Sequence, residues 1–178
     1  MGSWASKLAR ILADLGDGNA GYDGSEHQIL EPPGDAELAA LLLIAPVRAR
    51  PFLDRLFTDC GGATLPDLHN GYFIDTAEKI RRRLVEKSPL EPRTLESDLG
   101  ANVVCFGSDG GGGRFAFVAA ADEGVWYLPV GGVFDGVFRN LQTPIVRVGR
   151  DVSDFGERLV GDIEAFLDDK PGWKYLGE

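Results

Sequence analysis

The chain has 178 residues, of which 28 are acidic and 18 basic, so its formal net charge is −10 with both histidines neutral. Hydrophobic residues make up 44% and charged residues 26%, which is close to the average for soluble globular proteins and argues against a disordered chain or a membrane protein. Glycine is the outlier. The 24 glycines and 10 prolines exceed the usual share of both residues and predict many tight turns.

The first predicted element is a helix that Ser3 caps and that ends at Gly16. Its apolar residues follow three- and four-residue spacing: Leu8, Ile11, Leu12 and Leu15. The segment 17–34 is rich in glycine and proline, which predicts a loop. We therefore divide the chain into an N-terminal helix and linker (1–34), a main α+β domain (35–170) and a C-terminal tail (171–178).

Two more helices are predicted at the start of the main domain. Asp35 is expected to cap the first, which runs to Ile44 and is followed by Pro46. The second spans 51–59 and stops at Gly61-Gly62, a pair typical of helix C-termini. Its apolar face consists of Phe52, Leu53, Leu56 and Phe57.

A short strand at 71–74 is rich in strand-forming residues and precedes another helix. Asp75 or Thr76 caps that helix. Its predicted inner face consists of Ile80, Leu84 and Val85. A last helix begins at Asp151 or Ser153 and runs to Leu167.

Between these helices lie five short apolar runs separated by Gly or Asp turns, at 102–106, 114–119, 124–129, 133–138 and 144–148. A spacing of about ten residues with tight turns predicts an antiparallel meander. Helices first, a meander in the middle and one helix last indicate the α+β class. We expect a meander sheet of about five to six strands, with helices packed mainly on one face.

The net charge and the cysteines indicate which binding partners and which cellular compartment to expect. A chain of net charge −10 repels phosphate backbones, which argues against direct nucleic-acid binding and favours a basic protein partner. The basic run Arg81–Arg83 is diluted by glutamates and predicts a solvated helix face. Cys60 and Cys105 are expected to be buried or half-buried free thiols. With no signal-peptide pattern and no apolar run near twenty residues, we expect a cytoplasmic protein and no membrane span.

The run Gly107–Gly113 is the strongest candidate for a ligand loop, because it directly follows a predicted strand. It lacks the Gly-Lys-Ser/Thr of a Walker loop, and a strand follows it where a dinucleotide-binding loop requires a helix. Ser108 is not in a nucleophile elbow, since Phe106 occupies the first glycine position. The favoured interpretation is a hairpin loop, with a nucleotide- or metal-binding enzyme using this loop as the alternative.

No catalytic, cofactor or metal-binding set is predicted elsewhere. His27 and His69 are not paired with other ligands at metal-binding spacing, and a Cys–His dyad with His69 is a minor alternative. Four carboxylates sit at predicted hairpin turns, where Asp and Gly are expected in any case: Asp109, Asp122, Glu123 and Asp135. Clustered at one sheet edge, they are candidates for calcium binding or acid–base chemistry, and the turn interpretation is favoured.

The order of these motifs resembles the SUKH superfamily, which is named partly for a yeast regulator of cell-wall assembly. The resemblance covers about residues 35–167. It rests on Gly61-Gly62 after an early helix, 71–74 before the next helix, the strand 103–106 leading into Gly107–Gly112, and 152–155 opening the last helix. The early turn lacks the family's usual Asn, and Asp122 stands just after the position where relatives carry a strand-end Asp.

The resemblance implies an α+β domain without enzymatic activity. Bacterial members are largely immunity proteins that neutralise a cognate toxin, often a nuclease or deaminase, while a regulatory scaffold protein is the other reading. An acidic inhibitor suits a basic toxin, because opposite charges speed encounter. The residues predicted to bind the partner are acidic turn residues, an arginine and aromatics of the meander: Asp109, Arg114, Asp122, Trp126, Tyr127, Phe134, Asp135 and Phe138.

Overall fold

The computed structural model describes residues 3–16, 26–96, 102–120, 122–139 and 143–176. The helices are α1 (Ser3–Gly16), α2 (Asp35–Ile44), α3 (Arg50–Asp59), α4 (Ala77–Glu86) and α5 (Val152–Leu167). The strands are β1 (Gln28–Leu30), β2 (Gly62–Leu65), β3 (Tyr72–Ile74), β4 (Thr94–Leu95), β5 (Asn102–Asp109), β6 (Arg114–Ala119), β7 (Gly124–Leu128), β8 (Gly132–Phe134), β9 (Val137–Arg139) and β10 (Val146–Gly149). The predicted α+β class is confirmed.

Seven strands form one antiparallel sheet in the order β1-β2-β3-β5-β6-β7-β10. The meander lies at its centre, where β5, β6 and β7 pair consecutively. The predicted single strand at 133–138 is wrong. It is instead the hairpin β8–β9, whose turn residues Asp135 and Gly136 both have positive φ, and this hairpin pairs with β4 in a second, three-stranded sheet.

The central strands bury both faces, because alternate residues point to opposite sides of the sheet. Phe106, Phe115 and Tyr127 enter the larger core, to which all five helices contribute. Cys105 and Val118 enter a smaller core. That core also contains Leu95 of β4 and Phe138 of β9, so the small sheet covers the face opposite the larger core.

Helix α1 packs into the larger core against α3 and α5. Trp4 is fully buried, and its Nε1 donates a hydrogen bond of 3.3 Å to Oδ2 of Asp59 at the end of α3. A Cβ at Gly156 would lie only 2.3 Å from the Trp4 ring, so glycine at this position in α5 allows the two helices to approach closely. The N-terminal helix is therefore part of the same packed body as the sheet.

The helix caps and the inner face of α4 agree with the sequence only in part. Thr76 caps α4 and Asp151 caps α5, each accepting a backbone hydrogen bond, whereas Gly34 takes the cap position of α2. Val85 is 57% exposed, so its placement on the inner face of α4 was wrong.

The predicted linker contains strand β1, while residues 17–25 lie outside the described part of the chain. Among the described residues, no helix combines the length and apolar character needed to cross a membrane.

Candidate functional site

The glycine-rich turn between β5 and β6 is built around the buried carboxylate of Asp109. Gly113 N donates to Oδ1 of Asp109 at 2.7 Å, and the Tyr127 hydroxyl donates to Oδ2 at 2.6 Å. The backbone N of Asp109 in turn donates to Gly113 O at 3.2 Å. Burial, followed by the hydrogen bond to Asp109, raises the pKa of Tyr127, so the hydroxyl stays protonated as a donor. Asp109 and Tyr127 therefore fix the shape of this turn.

The same turn is packed closely against the chain that precedes β3. Gly110 N donates to Gly71 O at 3.1 Å, and a Cβ at Gly110 would lie 1.9 Å from the backbone oxygen of Asn70. Two of the turn's N–H groups are thus used within the protein, and a carboxylate lies beneath it. This geometry is unfavourable for a phosphate, which needs free N–H donors and no nearby anion.

A cleft of about 460 Å³ lies between this turn and α4. Its α4 wall is held by Asp75, a buried carboxylate that forms ion pairs with Lys79 and, at 2.7 Å, with Arg83. Arg83 also donates to the backbone oxygen of Cys105 at 2.9 Å, which ties α4 to the central strand β5. Two positive side chains that line the cleft, Lys79 and Arg83, are therefore paired with the carboxylate of Asp75.

On the opposite wall, Arg114 Nη1 contacts Oε2 of Glu91 at 2.8 Å, and Arg83 Nε lies 3.6 Å from Oε1 of the same carboxylate. Arg114, a predicted partner-binding residue, is therefore half-buried and already paired. The charged side chains of the cleft are thus paired with one another. They form a structural ion-pair cluster that joins α4, the 88–93 segment and β6.

Both cysteines are free and buried, as predicted. Burial raises the pKa of Cys60 to about 11 and that of Cys105 to about 12. The thiolate is the nucleophilic form, so both side chains are poor nucleophiles at neutral pH. Cys60 Sγ donates to Gly62 O at 3.3 Å, and the His69 ring stacks on Tyr175 at 3.9 Å between centroids.

The hairpin β8–β9 presents an exposed aromatic side chain. Phe134 is 57% exposed, and the Arg139 guanidinium carbon lies 5.4 Å from its ring centroid, within the range of a cation–π contact. Arg93 donates to the backbone oxygen of Asp135 at 2.9 Å and so anchors the tip. Asp135 takes the left-handed conformation that a two-residue turn of this type requires.

The glycine-rich turn lies next to the segment that leads into this hairpin. A Cβ at Gly112 would be 3.4 Å from Cγ2 of Val130, whose side chain is 72% exposed. We call this region the hairpin surface, and it consists of Gly112, Val130, Phe134, Asp135 and Arg139. It combines exposed apolar area with charged groups, the Asp135 carboxylate and the Arg139 guanidinium, whose Nε lies 3.4 Å from Oε1 of Glu96.

The other predicted partner-binding residues lie elsewhere. Tyr127 and Phe138 are buried, on opposite faces of the main sheet. Trp126 is half-buried against the smaller core, and its Nε1 has no hydrogen-bond partner among the described residues. Asp122 is exposed and forms an ion pair with Arg147 at 2.7 Å. Of the predicted residues, only Phe134 and Asp135 come together on the hairpin surface.

Sequence reasoning missed Val130 and Arg139. The signal that points to both is the Asp135-Gly136 pair, which is typical of a two-residue hairpin turn. A hairpin there places Phe134 and Val137 opposite each other and brings Arg139 back beside the start of β8.

Within the described ranges, no group of three or more His, Cys, Asp or Glu side chains is placed to hold a metal ion. Comparisons with protein-family models, curated proteins and solved structures found no match to this chain. The resemblance to the SUKH superfamily and the function that it implies therefore stay predictions.

Proposed function

We propose that this chain is a non-enzymatic protein-binding module, an immunity protein that binds and neutralises a cognate bacterial toxin through the hairpin surface. The observation that carries the proposal is Phe134, an aromatic side chain left 57% exposed on a short, well-anchored hairpin, with the Arg139 guanidinium over its ring. Aromatic and arginine side chains are the commonest energetic anchors of protein interfaces.

The proposed anchors differ in chemistry in a way that suits a protein partner. Phe134 and Val130 supply apolar area that loses contact with water on binding. Asp135 and Arg139 flank them and supply charges of both signs at the rim. Strands β8 and β9 hold Phe134 and Arg139 in place, which reduces the entropy lost on association.

The net charge of −10 favours a basic toxin, such as a nuclease or deaminase. Long-range attraction between opposite charges raises the association rate, and this effect weakens as salt is added. Binding over the toxin's cationic active site would exclude its anionic substrate. This mechanism needs no chemistry from the immunity protein itself.

The proposal predicts a toxin domain in a reading frame that neighbours the one for this chain, and it is tested by co-expression of the two. We expect the full chain to protect the host cells and to co-purify with the toxin. Phe134→Ala should lower protection and recovery of the complex, whereas Val85→Ala, which truncates an equally exposed apolar side chain on α4, should leave both unchanged. Absence of protection and of co-purification with the wild-type chain would refute the proposal.

A further inference from the structure

Among the described strands, none pairs with the first half of β5 on the side of β3. Strand β3 itself is short and pairs only with residues 107–109 of β5. The segment 88–93 meets the rest of this edge, where Val103 N donates to the Arg93 carbonyl at 2.8 Å. Pro92 in that segment has no N–H to donate, so the segment does not continue as a paired strand. Side chains from the end of α2 and from α4 complete the cover.

These elements leave a cavity of about 190 Å³ between α2, α4, the 88–93 segment and β5. Its walls are mostly apolar and include Ile80, Leu84, Pro92 and Val104, all of which are buried or half-buried. A cavity of about 150 Å³ with apolar walls is large enough to bind benzene. The cavity in this protein therefore has room for a hydrocarbon group of about six to eight carbons.

The mouth of the cavity is basic. The exposed residues of the lining mark this mouth: Ile44, Lys87, Arg93 and Asn102. Arg93 donates to backbone carbonyls. Within the described ranges, neither Arg93 nor Lys87 forms an ion pair with a carboxylate. Both positive charges are therefore left for an anion at the mouth.

The carboxylate that lines the cavity does not cancel these charges. Glu91 lies 2.8 Å from Arg114 and 3.6 Å from Arg83, so it is already paired with two cations. Among the described residues of the lining, the side chains of Arg83, Lys87 and Arg93 outnumber this one carboxylate. The cavity thus has a local excess of positive charge on a chain whose net charge is −10.

We propose that this cavity binds a small apolar carboxylate, a carboxylic acid anion with a chain or ring of about six to eight carbons. The hydrocarbon group lies against Ile80, Leu84 and Val104, where it loses contact with water. The carboxylate stays at the mouth, where Lys87 and Arg93 donate to it. Because solvent still reaches the mouth, the cost of desolvating the carboxylate is small.

The apolar walls and the basic mouth together argue for this class of ligand. An inorganic anion would gain nothing from the walls, a neutral hydrocarbon would leave the two cations without a partner, and a cationic ligand would be repelled. The inference goes beyond the proposed toxin binding and does not depend on it. The described residues of the cavity lining include none of the hairpin surface.

The ligand class is tested by calorimetric titration of the full chain with octanoate, 1-octanol and butyrate. We expect one octanoate site with a dissociation constant on the order of 0.1–1 mM, as befits so small a ligand. 1-Octanol, which lacks the charge, should bind at least about threefold more weakly, and added salt should remove this difference. Butyrate, which lacks most of the apolar chain, should give no saturable binding.

Two variants with matched controls test the location. Ile44→Trp places a larger ring at the mouth and should weaken octanoate binding at least about tenfold, whereas Leu43→Trp, at the next position but outside the lining, should not change it. Lys87→Gln should weaken octanoate binding about threefold and leave 1-octanol binding unchanged. Lys174→Gln removes the same charge outside the lining and should change neither. Circular dichroism checks that each variant folds.

Absence of saturable octanoate binding by the wild-type chain would overturn the proposal, as would binding of several octanoate ions per chain. Equal octanoate affinity in folded Ile44→Trp and in the wild type would overturn the assignment to this cavity. Octanoate binding that Lys87→Gln does not weaken, or that 1-octanol equals at low salt, would overturn the recognition of the carboxylate at the mouth.

Discussion

The turn after β5 contains four glycines and the turn after β8 contains one, and each follows or begins with an aspartate that it uses differently. Asp109 points inward and binds Gly113 and Tyr127, so the first turn is fixed by a buried carboxylate. Asp135 is exposed and forms the tip of the second turn through its backbone conformation. A motif that resembles a ligand loop is thus structural in this protein, while a plainer turn presents an exposed aromatic side chain.

The two turns should differ most in how much the aspartate carboxylate contributes to the free energy of unfolding. Asp109→Ala should lower the free energy of unfolding by about 3 kcal/mol, because it leaves two buried donors without a partner. Asp135→Asn should change it by less than about 0.5 kcal/mol, since asparagine tolerates the left-handed conformation. Urea denaturation of both variants measures the difference, and equal losses would contradict the assignment of Asp109 as the structural residue.

The next largest difference is in the stability lost when one glycine of each turn is replaced by alanine. Gly110→Ala should cost about 2–3 kcal/mol, because its Cβ would meet the backbone oxygen of Asn70, which cannot move independently. Gly136→Ala should cost about 1–2 kcal/mol, from its positive φ and because its Cβ would displace the Arg93 guanidinium, a side chain that can shift at the loss of its hydrogen bond to Asp135. Thermal unfolding of the two variants shows which of them loses more stability. A greater loss of stability in Gly136→Ala would show that the second turn is the more constrained.

A smaller effect is expected at the aromatic residues of the two regions. Tyr127→Phe removes one hydrogen bond to the Asp109 carboxylate and should cost about 1–2 kcal/mol. Phe134→Leu, which keeps an apolar side chain at the exposed position, should cost less than about 0.5 kcal/mol. A stability loss in Phe134→Leu as large as that in Tyr127→Phe would mean that Phe134 serves packing, and would contradict the proposal that it is an interface anchor.

The long periodic helices and the central strands were predictable from the sequence because each carries its own pattern. Helix α5, for example, repeats apolar residues at helical spacing and starts at a capping aspartate. Strand β1 was not predictable, because its three residues become a strand only by pairing with β2, more than thirty positions away. Val85 was misplaced because the periodicity of a short helix does not define which of two adjacent apolar positions turns towards the core.

The candidate site was only partly predictable for a similar reason. Phe134 and Phe138 would share one face of a single strand, yet the intervening two-residue turn places them on different strands. Phe138 then enters the smaller core, while Phe134 stays exposed beside Arg139. Which aromatic side chain remains at the surface depends on how the small sheet packs on the main sheet, and no local pattern records that contact.

The most direct test of the proposed function is a calorimetric titration into the full protein of the toxin domain that the proposal predicts in a neighbouring reading frame. We expect saturable one-to-one binding that weakens with salt and falls at least about tenfold in Phe134→Ala, with Val85→Ala equal to the wild type. Absence of binding would contradict the toxin-binding function. Binding of the same affinity in Phe134→Ala would contradict the assignment of the hairpin surface as its site.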